Sequence, residues 1–99
     1  MIKNGDFVLI RTYSAGIHFG NLVSREGQEV VLTNARRLWS WQGALSLSEI
    51  AMKGINISGS KISVPVDEII LTQAIEIIKV DKKSNLPGNE VRKSVLAEL

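Results

Sequence analysis

Phe7-Val8-Leu9-Ile10-Arg11-Thr12-Tyr13, Ile17-His18-Phe19-Gly20-Asn21-Leu22-Val23-Ser24 and Gln28-Glu29-Val30-Val31-Leu32-Thr33 are three runs rich in β-branched and aromatic residues. They decide the fold. Ser14-Ala15-Gly16 separates the first two and Arg25-Glu26-Gly27 the second pair. Turns this short join neighbours as hairpins, so the spacing predicts an antiparallel meander of three strands. The first run is apolar from Phe7 to Ile10, which predicts a central strand. Gly20 within the second run predicts a bulge or a close backbone approach.

Outward from the meander, Ser46-Leu47-Ser48-Glu49 opens an inserted helix over about residues 46–53. Ser46 caps its first turn, Glu49 completes a capping box, and Gly54 stops it after about two turns. Lys61 to Val66 alternates Ile62, Val64 and Val66, which is strand periodicity, and Pro65 confines that strand to an edge or an end. Asp67–Thr72 and Ala74–Val80 are two further β-branched runs, the first with a short helix at 67–73 as its alternative. Residues 81–99 read as a linker followed by a terminal helix, capped by Asn89 and carrying Val91, Val95, Leu96 and Leu99 on one side. The expected fold is β-rich α+β: residues 1–80 form a small, strongly bent antiparallel sheet or partly open barrel with one inserted helix, and a short C-terminal helix follows.

The chain has 99 residues, 44% of them hydrophobic and 22% charged, a balance suited to one globular domain. Twelve Lys and Arg against ten Asp and Glu leave a formal charge of +2, too little for a general nucleic-acid binder. An anion site would have to arise from local clustering. The absence of cysteine removes disulfides, thiolate nucleophiles and cysteine-based zinc sites. With no signal peptide evident and no apolar run of about 18 residues, a cytoplasmic, membrane-free protein is expected.

Catalytic machinery is not legible. His18 is the single histidine, and no carboxylate neighbours it in sequence. The serines fit no nucleophile elbow, no glycine-rich phosphate loop is present, and no metal or cofactor is called for. The chain reads as a binding protein and not as an enzyme.

Ala35-Arg36-Arg37-Leu38-Trp39-Ser40-Trp41 stands apart. Two adjacent guanidiniums can fork onto phosphate oxygens, and two indoles offer faces for a base, the pairing a nucleotide site needs. An extended segment puts Trp39 and Trp41 on one face, with Arg37 expected on the other, which favours the indoles as core or interface anchors. Arg36 and Arg37 are then the ligand contacts. A second wall is expected from Arg11, Thr12, Tyr13, Ser14 and His18 at a hairpin tip, and a third from the polar stretch Gly59-Ser60-Lys61-Ile62-Ser63, with Ser60 and Lys61 as its contacts.

Taken together, Thr12 to His18, Ala35 to Ala44, Leu47 to Ala51 with Gly54, Ser60 to Val66 and Leu71 to Glu76 resemble a widespread family of small phage and prophage proteins of unassigned role. The resemblance covers residues 7 to about 79 and implies a phage origin. Small proteins of that kind include anti-defence sponges, non-catalytic oligomers that sequester nucleotide immune signals. The expectation is therefore a homo-oligomer in the cytoplasm of an infected bacterium, holding a small anionic nucleotide such as a cyclic dinucleotide or a cyclic ADP-ribose isomer. The alternative is a protein–protein interaction module that inhibits a host factor or accompanies the virion. Nucleic acid and membrane are not expected as partners.

Overall fold

The computed structural model describes residues 1–89; the expected C-terminal helix lies outside them. Strands β1 (Phe7–Thr12), β2 (Ile17–Glu26) and β3 (Glu29–Ser40) form the meander. Helix α1 (Leu47–Lys53) and a 3-10 turn (Ile57–Gly59) follow, then β4 (Lys61–Ile62), β5 (Val66–Leu71) and β6 (Ala74–Lys79). All six strands belong to one antiparallel sheet in the order β4-β3-β2-β1-β6, with β5 also on β3. β3 is twice the expected length and runs through the Arg36–Ser40 segment.

β4 and β5 share the free edge of β3. β5 covers its first half from Val30↔Leu71 to Ala35↔Val66, and β4 its last residues at Leu38↔Ile62 and Ser40↔Lys61. Ser63, Val64 and Pro65 divide them, so the single strand expected over 61–66 is two. Proline cannot donate to a ladder, and the break falls at that residue. Thr72 and Gln73 alone join β5 to β6, yet β5 lies on β3 and β6 on β1. Two residues can connect opposite edges only if the sheet curls until those edges approach. No ladder joins β5 to β6 among the described residues, so the sheet is a strongly bent, partly open barrel.

Both faces of the sheet are packed. Val8, Ile10, Leu22, Val30, Leu32 and Leu71 fill the concave side. Phe7, Leu9, Phe19 and Leu38 face outward onto Ile50 and Ala51 of α1, with Val80 and Leu86 beside them. β1 therefore contributes to two cores by simple alternation, which is why its sequence is apolar without a break. Ser46 Oγ accepts from Glu49 N at 3.2 Å, and Glu49 Oε2 accepts from Leu45 N at 3.1 Å, one residue before the cap. The helix ends where Gly54 takes φ 91°. Its last carbonyls, which a helix leaves without internal partners, are met from the stretch read as a linker. Ser84 Oγ donates to Ile50 O, Asp81 N donates to Ala51 O, and the Asn85 amide pairs with both backbone groups of Ile55.

Gly20 is both a bulge site and a close approach. The β2–β3 register passes from Phe19↔Arg36 to Asn21↔Thr33, so Asn34 and Ala35 together oppose Gly20. Asn34 takes φ 51°, a left-handed conformation that asparagine tolerates. A Cβ on residue 20 would stand 2.9 Å from the Thr33 carbonyl oxygen and 3.1 Å from Ala35 Cα, both backbone atoms. Gly20→Ala is expected to lower the unfolding free energy by about 1–3 kcal/mol, read as a shifted denaturant midpoint at constant slope. An unchanged midpoint would show that the ladder yields there.

Candidate functional site

The bulge sets which side chains of β3 look into the barrel. Leu32 opposes Leu22, and five residues on, Arg37 opposes His18. His18, Gly20 and Leu22 alternate onto the concave face of β2, so the extra residue brings Arg37 onto that face. Trp39, two residues further, shares it, and the expectation that Arg37 and the indoles would lie on opposite faces is overturned. The two indoles also part. The Leu38↔Ile62 to Ser40↔Lys61 register is irregular and β3 ends at Ser40. Trp41 therefore turns to the helix-side core and donates from Nε1 to Ala44 O at 3.2 Å. Trp39 remains 63% exposed.

A pocket of about 160 Å³ opens at this end of the barrel, lined by His18, Arg36, Arg37, Trp39, Ser63 and the aliphatic Ala35, Val66 and Ile69. Its polar groups are nearly all donors. His18 is 2% exposed, and its Nε2 accepts from Arg37 Nε at 3.3 Å. Ser63 ties the root of Arg37 by accepting from its N–H through Oγ at 2.8 Å and donating its own N–H to Arg37 O at 2.9 Å. Arg36 Nη1 reaches the Ser63 carbonyl at 3.4 Å, while its buried Nε has no partner among the described residues. The ion pairs among the described residues are Arg11–Glu76 and Lys79–Asp6, so neither Arg36 nor Arg37 is ion-paired there. Two guanidiniums, a neutral imidazole and one indole face thus share a shallow apolar cup, groups whose chemistry suits an anion and a planar ring.

Burial lowers the His18 pKa from 6.5 to about 4, and the Arg37 charge acts in the same direction. The Gly16 backbone opposes both without reaching bonding geometry at Nδ1. The ring is therefore neutral above about pH 5. Because the folded value lies below the unfolded one, the unfolded chain binds the extra proton between pH 6.5 and 4. The contribution to stability is complete above pH 6.5 and is lost as pH falls through 4, up to about 3 kcal/mol. Urea titrations at pH 7 and pH 4 should show this loss in the native protein and a smaller one in His18→Gln. Equal losses would assign the acid sensitivity elsewhere.

The remaining expected site residues are not gathered here. Thr12 is buried and closes its own turn, donating from Oγ1 to Gly16 O and accepting from Ala15 N. Tyr13 is 77% exposed at the hairpin tip, Ser14 pairs with Gln73, and Arg11 is engaged with Glu76. Ser60 donates from Oγ to Asn56 O and accepts from Gln42 N, while Lys61 is exposed on β4. Ser63, the last residue of the expected Gly59-to-Ser63 segment, is the one member of it that lines the pocket, although Ser60 and Lys61 were the residues expected to make contact. Only its position two residues before Pro65, where the edge strand must break, signals that its polar groups are free to bind β3.

A family model described as a domain of unknown function (DUF6948) matches residues 5–86. No curated protein and no solved structure matches the chain.

Proposed function

The chain belongs to the DUF6948 family of domains of unknown function, and from that premise we propose that it is a binding protein for a small anionic nucleotide. Arg37 and Arg36 meet the phosphate, and Trp39 stacks on the base. The observation that carries this reading is a pocket holding two guanidiniums that form no ion pair among the described residues, beside an exposed indole. His18 is held neutral with Nε2 engaged, which suits recognition better than proton transfer. We further propose that the protein sequesters its ligand as a phage anti-defence sponge, with a cyclic dinucleotide or a cyclic ADP-ribose isomer as the signal. At about 160 Å³ the pocket is smaller than the roughly 300–1,000 Å³ of usual ligand sites. That supports a homo-oligomer in which a second copy completes the enclosure around a two-phosphate ligand.

Calorimetry against AMP, cyclic AMP, cyclic di-AMP, cyclic di-GMP and cyclic ADP-ribose tests the reading. Saturable binding at micromolar affinity or tighter is expected for at least one of them, with quenching of Trp39 fluorescence. Trp39→Ala should weaken that binding about tenfold, since base–aromatic stacking contributes about 1–3 kcal/mol. Flat titrations throughout would overturn it. They would transfer the site to a second reading, a protein-interaction module, which the exposure of Trp39, Val64 and Val66 favours.

A further inference from the structure

We infer that His18 is a positioning residue for Arg37, holding the guanidinium by its Nε edge so that the Nη1/Nη2 edge is what the pocket offers to a ligand. This deepens the anion-binding reading and rests on it. A long arginine side chain loses much rotamer freedom when it engages a ligand, and a site gains affinity if that freedom is already removed. Here both ends of Arg37 are tied. Its backbone N–H and C=O are bonded to Ser63, and its Nε donates to His18 Nε2 at 3.3 Å. Among the described residues Arg36 has one long side-chain contact, to Ser63 O, and an Nε without a partner, so it is not held in this way.

The acceptor is itself buried. His18 sits in the middle of the sheet, opposite Ile10 of β1 and Arg37 of β3, so Arg37 is the charged group that faces it from the flanking strands. An imidazole whose Nε2 accepts must carry its proton on Nδ1. With Nε engaged, a side-on fork through Nε and one Nη is closed to the ligand. Only the end-on fork through Nη1 and Nη2 remains, which matches one group with two oxygens, such as a single phosphate. Each Arg37 therefore grips one phosphate, and a signal with two phosphates engages the Arg37 of two copies.

AMP is the probe, with adenosine as the uncharged control. Glutamine places an acceptor where Nε2 stands; leucine fills the space without one. His18→Gln is expected to bind AMP within about threefold of the native protein, and His18→Leu to lose about tenfold or more at an unchanged circular dichroism spectrum. Adenosine binding should be weak and alike in all three. Independently of any variant, ¹⁵N spectra of the native protein should show His18 with its proton on Nδ1 and a slowly exchanging Arg37 Nε–H. Native affinity in His18→Leu, a folded His18→Gln as weak as His18→Leu, or an Nε2-protonated His18 would each overturn the positioning role while leaving anion binding intact. Native protein that binds none of the nucleotide panel would overturn the anion-binding reading itself, whatever the ¹⁵N spectra show.

Discussion

Phe19→Ala is expected to lower the unfolding free energy by about 3–5 kcal/mol, the largest effect of any single substitution considered for this chain. Phe19 is fully buried on the outward face of β2, with the Phe7 ring centroid 5.9 Å away at an interplanar angle of 52°. Leu9, Leu38 and Ile50 belong to the same cluster. Truncation removes the transfer term and leaves a cavity whose walls belong to a hydrogen-bonded sheet, which cannot collapse into it. A domain of this size has about 5–15 kcal/mol in total, so the variant should be marginal. The loss should also reach α1. Seven residues cannot hold a helix without tertiary support, and the segment from Asp81 to Asn85 is anchored to that helix and to the Ile55 backbone just after it. Denaturant titration reads the stability. Amide exchange should show α1 losing protection before β2. A loss below about 1 kcal/mol would mean that the helix re-docks into the space.

Arg37→Ala is expected to reduce nucleotide affinity about 100-fold, within the 2–5 kcal/mol found when one partner of a hydrogen-bonded charge pair is truncated. The stability change should stay within about 1–2 kcal/mol, since Arg37 is exposed but its loss leaves the buried His18 Nε2 without a donor. Arg37→Lys should not restore binding, because an ammonium offers a point charge in place of the fork. Arg36→Ala should cost less, its best contact being the 3.4 Å bond to Ser63 O. Calorimetry on the three variants ranks them. Equal losses at Arg36 and Arg37 would mean that the pocket attracts anions by charge alone.

What the sequence revealed, and what it hid, follows from the range of the interactions involved. The meander, the helix with its Ser46 cap and Gly54 stop, the crowding at Gly20 and the edge position of Pro65 all come from signals carried within a few residues. The course of β3 past Thr33 does not. Arg36-Arg37-Leu38-Trp39 shows no apolar alternation, because its inward positions open on a pocket and its outward ones on a half-covered helix-side core. The attachment of β5 and β6 to opposite edges is a property of sheet curl, to which no residue attests alone. At the site, Arg36, Arg37, Trp39 and His18 were legible as residue types suited to an anion. Thr12, Ser14 and Ser60 were not separable from them, because hydroxyls beside glycines look the same whether they bind a ligand or close their own turns. Ser63 fell within a candidate segment, but its role was not legible because it depends on a strand 26 residues away in sequence.

Asn34 works as an index on the strand. Everything after it is read one place out of step with everything before it, and its left-handed turn, opposite a glycine that leaves room, is what changes the count. The same chain with no bulge, Asn34 alone opposite Gly20, would carry the same arginines in the same order and present Arg36 and Leu38 to the barrel mouth, with Arg37 and Trp39 against the helix. The chemistry of the mouth is thus written less in its own residues than in the phase of the strand that delivers them, and flattening the bulge at unchanged length should be more damaging than deleting Asn34.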